Sequence, residues 1–142
     1  MKFLTTFLFL GILSAQSEHY SQSIETVVYQ FMQAINTNDA DLAQSLVQED
    51  AMITRVLIRE GISNSKNISM NQFIEDIRTR TIEVEERIWN LKIESNDNIA
   101  TAWMDYDFHI EGNYSHQGSN VLFLTKTSDG WKISQVLFNM QI

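Results

Sequence analysis

Four runs of alternating apolar and polar residues, joined by short turns, fill the chain from Glu86 onward, and few folds accommodate that pattern. The runs are Glu86 to Ser95, Ile99 to Glu111, Ser115 to Thr127 and Trp131 to Met140. Between them stand Asn96-Asp97-Asn98, Gly112-Asn113 and Ser128-Asp129-Gly130. A period of two is the mark of a strand with one buried face. Asp-Gly between two such runs is among the strongest short hairpin signals. Consecutive short turns predict an antiparallel meander. There is no proline in the 142 residues, so Gly, Asn and Asp must shape the turns.

The preceding stretch has helical spacing. Ile24, Val27, Val28, Phe31, Met32 and Ile35 recur on one helix face, with Ser23 placed to cap it and an end near Asn36 to Asn38. Asp39 can cap a short second helix whose stripe is Leu42, Ala43, Leu46 and Val47. Met52 to Arg59 reads as a strand and Gly61 to Asn67 as a polar loop. Ser69 and Gln72 have capping-box spacing ahead of a third helix with Phe73, Ile74 and Ile77 inside. Thr79 to Val84 fits either the helix tail or the next strand. Helices first and a meander after predict an α+β class, with about three N-terminal helices on one face of a sheet of four or five strands. Strongly bent, such a sheet closes around the helices and leaves a cavity.

Residues 1–15 read as a secretory signal: Lys2, an apolar run from Phe3 to Leu13, then small Ser14 and Ala15. The run is too short to span a bilayer, which takes about 20 residues. The expectation is cleavage after Ala15, a flexible 16–22, and one domain over 23–142, exported to the periplasm or medium without a stable membrane anchor. The net charge of -8 and the scattered Lys and Arg supply no basic patch for a nucleic acid. With no cysteine, a disulfide framework, a thiolate nucleophile and a Cys-based zinc site are excluded. No Gly-rich phosphate loop or Gly-x-Ser-x-Gly elbow is present, and no metal or cofactor is called for.

Strand faces sort the chemistry-bearing residues. Ala100, Ala102, Met104, Tyr106, Phe108 and Ile110 form one face, which is apolar and should point inward. Trp103, Asp105, Asp107 and His109 then share the outer face. Asp107 and His109 have the residue types of an acid–base pair or of metal ligands, but their face makes them a polar stripe or a dimer contact. On the next strand Leu122 and Leu124 mark the inner face, which carries His116 near the mouth and Asn120 deeper. Tyr106, His116 and Asn120 are the candidate pocket polar groups: His as acid or base, Tyr and Asn as donors to an oxyanion. Each also has a plainer reading, His116 on the rim and Tyr106 in the core with its hydroxyl satisfied. Arg55, in phase with Ile53 and Leu57, either meets a carboxylate or an anionic ligand inside or lies on the surface of an edge strand. Phe31, Met104, Phe108 and Leu122 are the expected apolar lining.

The order helix, helix, strand, helix, four long strands resembles the nuclear transport factor 2-like superfamily, the cystatin-like cone that includes ketosteroid isomerase and scytalone dehydratase. The resemblance covers Ser23 to Met140. It is carried by Asn38-Asp39-Ala40-Asp41-Leu42, Ala100-Thr101-Ala102-Trp103, Tyr106-Asp107-Phe108, His116-Gln117-Gly118 and Asp129-Gly130-Trp131-Lys132-Ile133. The last two resemble a branch of small exported bacterial proteins of unassigned function. The resemblance implies a pocket between sheet and helices and a homodimer through the open sheet face. Ketosteroid isomerase uses an Asp base with Tyr and protonated Asp donors, and no matching Asp falls on the inner face here. Three functions stay open: a binding domain for a small apolar molecule, an acid–base enzyme (isomerase, dehydratase or hydrolase) on such a molecule, or a dimerising interaction module.

Overall fold

A computed structural model describes residues 23–142. The segments 1–15 and 16–22 lie outside the described residues. The elements run α1 (Ile24–Thr37), α2 (Ala40–Leu46), β1 (Val47–Arg59), β2 (Ile62–Ser69), α3 (Met70–Thr79), β3 (Val84–Ser95), β4 (Ile99–Ile110), β5 (Asn113–Thr127) and β6 (Gly130–Gln141). The class is α+β, as the pattern predicts: three helices on a curled six-stranded sheet of order β2-β1-β6-β5-β4-β3. All neighbours pair antiparallel except β1 and β6, which run parallel.

The helices start where side chains can cap them. Ser23 Oγ accepts from the Thr26 N–H at 3.1 Å and Asp39 Oδ1 from the Leu42 N–H at 2.9 Å. Ser69 Oγ accepts from the Gln72 N–H at 3.1 Å, but the Gln72 side chain does not close the reciprocal half of the capping box; its Nε2 donates to Asp76 at 2.8 Å. Val47, placed in the second helix by its apolar character, instead opens β1 in an extended conformation.

Two further expectations are corrected. The segment read as a polar loop is a strand, β2, so the sheet has six strands rather than four or five. Nearly every β2 residue is exposed, so no apolar alternation exists to reveal it; its backbone pairing with β1 holds it. A short polar edge strand with a lysine, here Lys66, also discourages pairing with other chains. Secondly, the turn after β4 is centred on Glu111-Gly112, both at positive φ (51° and 76°), and not on Gly112-Asn113. Two successive positive φ angles are what a two-residue hairpin needs to match strand twist.

The sheet is bent by register shifts in β1/β6, β3/β4, β4/β5 and β5/β6. The one in β3 falls at Asn90, whose φ is 54°. Ahead of it Glu86 and Ile88 face inward; behind it Leu91 and Ile93 pack on the core, so the inner set changes parity. In β4 the inner set runs unbroken, with Ala100, Ala102, Met104 and Tyr106 all buried. The core between sheet and helices includes Val27, Val28, Phe31, Ile53, Ile77, Leu122, Leu124 and Ile133. Among the described residues no helix is long and apolar enough to cross a membrane.

Candidate functional site

A cavity of about 210 Å³ opens between α1, α3 and the concave face of the sheet. Its walls are mostly apolar: Phe31, Met32 and Ile35 from α1, Phe73 from α3, Ile53, Ile68, Leu122, Val136, Phe138 and Met140 from the sheet. The polar groups that reach it are Arg55, Arg80, Glu86, Tyr106, His116 and Asn120. Of the lining expected from sequence, Phe31, Phe108 and Leu122 are there. Met104 is not: it is fully buried in the core beneath, beside Asn120 in the β4/β5 register.

Tyr106, His116 and Asn120 do border one space, with different freedom to act. The Tyr106 hydroxyl donates to the Asn139 carbonyl at 2.7 Å. It reaches across Gly118, its β5 partner, where a Cβ would run into that same carbonyl. Burial, then the nearby Glu86, raises the Tyr106 hydroxyl above its ordinary value, so it stays protonated. The half-buried His116 ring stacks on Phe108 (5.0 Å between centroids) and meets Tyr106 edge-on at 5.7 Å. Its Nδ1 lies 3.1 Å from Ser115 Oγ. Burial lowers its pKa, which keeps the ring neutral at neutral pH.

Sequence reasoning missed Glu86, the group that Asn120 serves. Asn120 is 5% exposed and its Nδ2 donates to Glu86 Oε1 at 2.6 Å. Asn36 of α1 fixes the backbone of Glu86 from both sides, accepting from its N–H at 2.7 Å and donating to its carbonyl at 3.0 Å. Burial pushes the Glu86 carboxyl up to about 7, against the smaller opposing effects of Asn120 and of the Arg80 charge. Arg80 is itself occupied, donating to the Ile35 carbonyl at 3.0 Å and to Asn38 Oδ1 at 3.1 Å. A carboxyl near pH 7 in a largely apolar cleft can give or take a proton.

Arg55 lies on the inner face of β1, in register with Phe138 on β6. β2 covers the far side of β1, so Arg55 is not on an edge strand. Its Nε is buried without a hydrogen-bond partner.

Trp103, Asp105, Asp107 and His109 stand on the opposite face. Arg87 grips Asp107 with two hydrogen bonds, Nε to Oδ1 at 2.8 Å and Nη2 to Oδ2 at 2.7 Å. Its Nη2 also lies 2.6 Å from His109 Nε2; arginine only donates, so Nε2 accepts. Arg87 holds the Asp107 carboxyl below its ordinary value. Asp105 accepts from Asn90 at 2.9 Å and from Ser119 at 3.1 Å. Trp103 is 51% exposed in a cross-strand row with Val121 and Leu137. Among the described residues, no three His, Asp or Glu side chains converge to hold a metal ion.

Comparison with known proteins agrees with this architecture. Similar structures include a nuclear transport factor 2-like superfamily protein from Salmonella enterica serovar Typhimurium (17% identity, 86% of this chain and 91% of that one, TM-score 0.67). Another is a protein of unknown function with a cystatin-like fold from Nostoc punctiforme (10% identity, 82% and 87%, TM-score 0.63). A third, also of unknown function, is from Mycobacterium tuberculosis (16% identity, 82% and 69%, TM-score 0.64). At such identities the likeness is one of fold. No functionally curated protein matches. The SnoaL-like domain family matches residues 24–140, and the chain belongs to that family, within the nuclear transport factor 2-like superfamily.

Proposed function

We propose that this chain binds a small, largely apolar molecule inside the cone. The observation that carries the reading is the cavity of about 210 Å³, apolar on most of its walls and furnished with a few convergent polar groups. An engineered apolar cavity of roughly 150 Å³ takes benzene, so the fitting ligands are small: one ring or a short chain. Binding to the native state raises the melting temperature by mass action. A panel of small lipophilic molecules should therefore shift Tm, and Met140→Trp, which fills the cavity from a half-buried lining position, should cancel the shift. The absence of any shift across the panel would contradict the reading.

A second reading, acid–base turnover of the bound molecule, is favoured by Glu86. Its carboxyl near 7, paired to Asn120, is suited to moving a proton to or from a bound hydroxyl or carbonyl compound. If turnover of a ligand is found, Glu86→Gln should lower kcat by about 100-fold or more; unchanged turnover would remove Glu86 from the chemistry.

Two placements accompany the reading. The chain is exported after removal of residues 1–15, a proposal supported by the basic start, apolar run and small exit residues; the mass of the mature protein tests it, and a retained N-terminus contradicts it. It forms a homodimer through the outer face, supported by the exposed Trp103 beside Val121 and Leu137. Sedimentation at high concentration tests this, and a strict monomer contradicts it.

A further inference from the structure

Arg55 is the group inside the cone with nothing to hold. Among the described residues, its Nε is the one buried side-chain nitrogen or oxygen lacking a hydrogen-bond partner. A guanidinium does not shed its charge to relieve such a position, and a buried donor left unmade is costly. Glu86, the cavity's carboxyl group, is spent elsewhere, on Asn120. Asn120 lies on β5, and Phe138 on β6 stands between it and Arg55 in one cross-strand row. Two strand spacings separate Arg55 from Asn120, roughly 10 Å along the sheet.

The neighbour on the other side sharpens the point. Arg55 is paired in register with Lys66 of β2, and side chains directly opposite in a ladder share a face. Two cations so placed repel one another. Among the described residues no ion pair joins either to a carboxylate. In a chain of net charge -8, the cavity wall thus carries a cation without a counter-charge, Arg55, with the exposed Lys66 opposite it in the β1/β2 ladder.

We propose that the cavity takes a small apolar molecule bearing one carboxylate, held by Arg55 with Lys66 beside it, and with its far end toward Glu86 and Asn120. This rests on the binding reading above and adds the class of ligand. A carboxylate accepts from a guanidinium in a bidentate fork and makes good the orphaned Nε–H. It also turns the Arg55–Lys66 repulsion into attraction to a shared anion. The body of the ligand spans the apolar floor formed by Phe138 and Leu122. At roughly two strand spacings, that body is one ring with a short tail or a chain of about six carbons.

The test pairs each acid with its own amide, which has the same shape and no charge. Hexanoate and 3-phenylpropanoate, against hexanamide and 3-phenylpropanamide, are titrated into the full mature chain by calorimetry at neutral pH. The expected result is that both acids bind at least about ten-fold more tightly than their amides. Arg55→Met should erase that preference while the amides still bind. Arg55 has no partner to lose, so the variant should melt no lower than the parent. Lys66→Gln, on the exposed edge strand, should reduce the preference by a smaller factor and cannot act by unfolding the core. Equal binding of acids and amides would overturn the carboxylate proposal and leave the cavity reading standing. An acid preference that survives Arg55→Met would overturn the assignment to Arg55. Failure of all four compounds to bind at millimolar concentration would overturn both.

Discussion

Glu86 and Arg87 are neighbours in the chain and stand on opposite faces of β3, where each belongs to a different carboxyl site. On the concave face, burial pushes the Glu86 carboxyl up to about 7, and its one short partner is the neutral amide of Asn120. On the convex face Asp107 receives two hydrogen bonds from Arg87 and is held below its ordinary value. Both are carboxyl groups among arginines, asparagine and histidine. Water separates them: the convex pair remains accessible, with Arg87 51% exposed, whereas the concave group faces an apolar cavity. The usual attraction of opposite charges therefore decides the state of Asp107, and desolvation decides that of Glu86. A protonatable group is kept where a ligand could meet it, and a fixed ion pair where only a partner surface could.

The largest test of this difference compares the packing of two adjacent residues. Leu122 is fully buried on the concave face, and Val121 is half-buried on the convex one. Leu122→Ala should cost about 2–5 kcal/mol in denaturant unfolding. Val121→Ala should cost about 1 kcal/mol or less. Similar losses would mean that the convex face is covered, as in a dimer that persists under the conditions of the experiment.

Next comes the pH dependence of stability. Folded Glu86 keeps its proton up to about 7, whereas its ordinary value is 4.5. Between those values the folded state binds more protons than the unfolded one, so stability falls as pH rises through that window and is unaffected by this group below it. The effect amounts to at most about 3 kcal/mol. Glu86→Gln should abolish this slope and leave the protein more stable at mildly alkaline pH, as read from Tm against pH. A variant that is less stable there would show that the ionised carboxylate is welcome in the cavity.

Asp107 should act in the opposite sense. Its depressed pKa contributes stability above the ordinary carboxylate range, lost as pH falls through the folded value. Because Arg87 is exposed, Asp107→Asn should give the smallest change of the series, confined to acid pH. A change at neutral pH as large as that of Glu86→Gln would make the convex cluster a structural centre in its own right.

How far the sequence discloses this arrangement depends on where the strands are interrupted. The inner face of β4 is readable because Ala100, Ala102, Met104, Tyr106 and Phe108 alternate without a break, and their face puts Asp107 and His109 outside. Leu122 and Leu124 likewise mark the face of Asn120. Glu86 is not readable by the same rule. Counting back by twos from Ile93, Leu91 and Trp89 turns Arg87 inward and Glu86 outward, and the irregularity at Asn90 reverses that parity. Val84, buried, and Ile88, in phase with Glu86, are the surviving signal. β2 has only Ile62 and Ile68 in phase, with Asn64 and Lys66 between them, too little apolar alternation to read as a strand, so its strand character comes from the β1 backbone, and with it comes the protected position of Arg55. The cavity polar groups that sequence left open or overlooked are thus those placed by non-local pairing.

Most direct of all is the titration of the Glu86 carboxyl carbon by NMR, with assignment from Glu86→Gln. A midpoint near 7 would establish a protonatable carboxyl inside the cone, the centre of the account. A midpoint near the ordinary 4.5 would contradict it, and would mean that water or a charge compensates Glu86 where the fold supplies only Asn120 and the distant pull of Arg80.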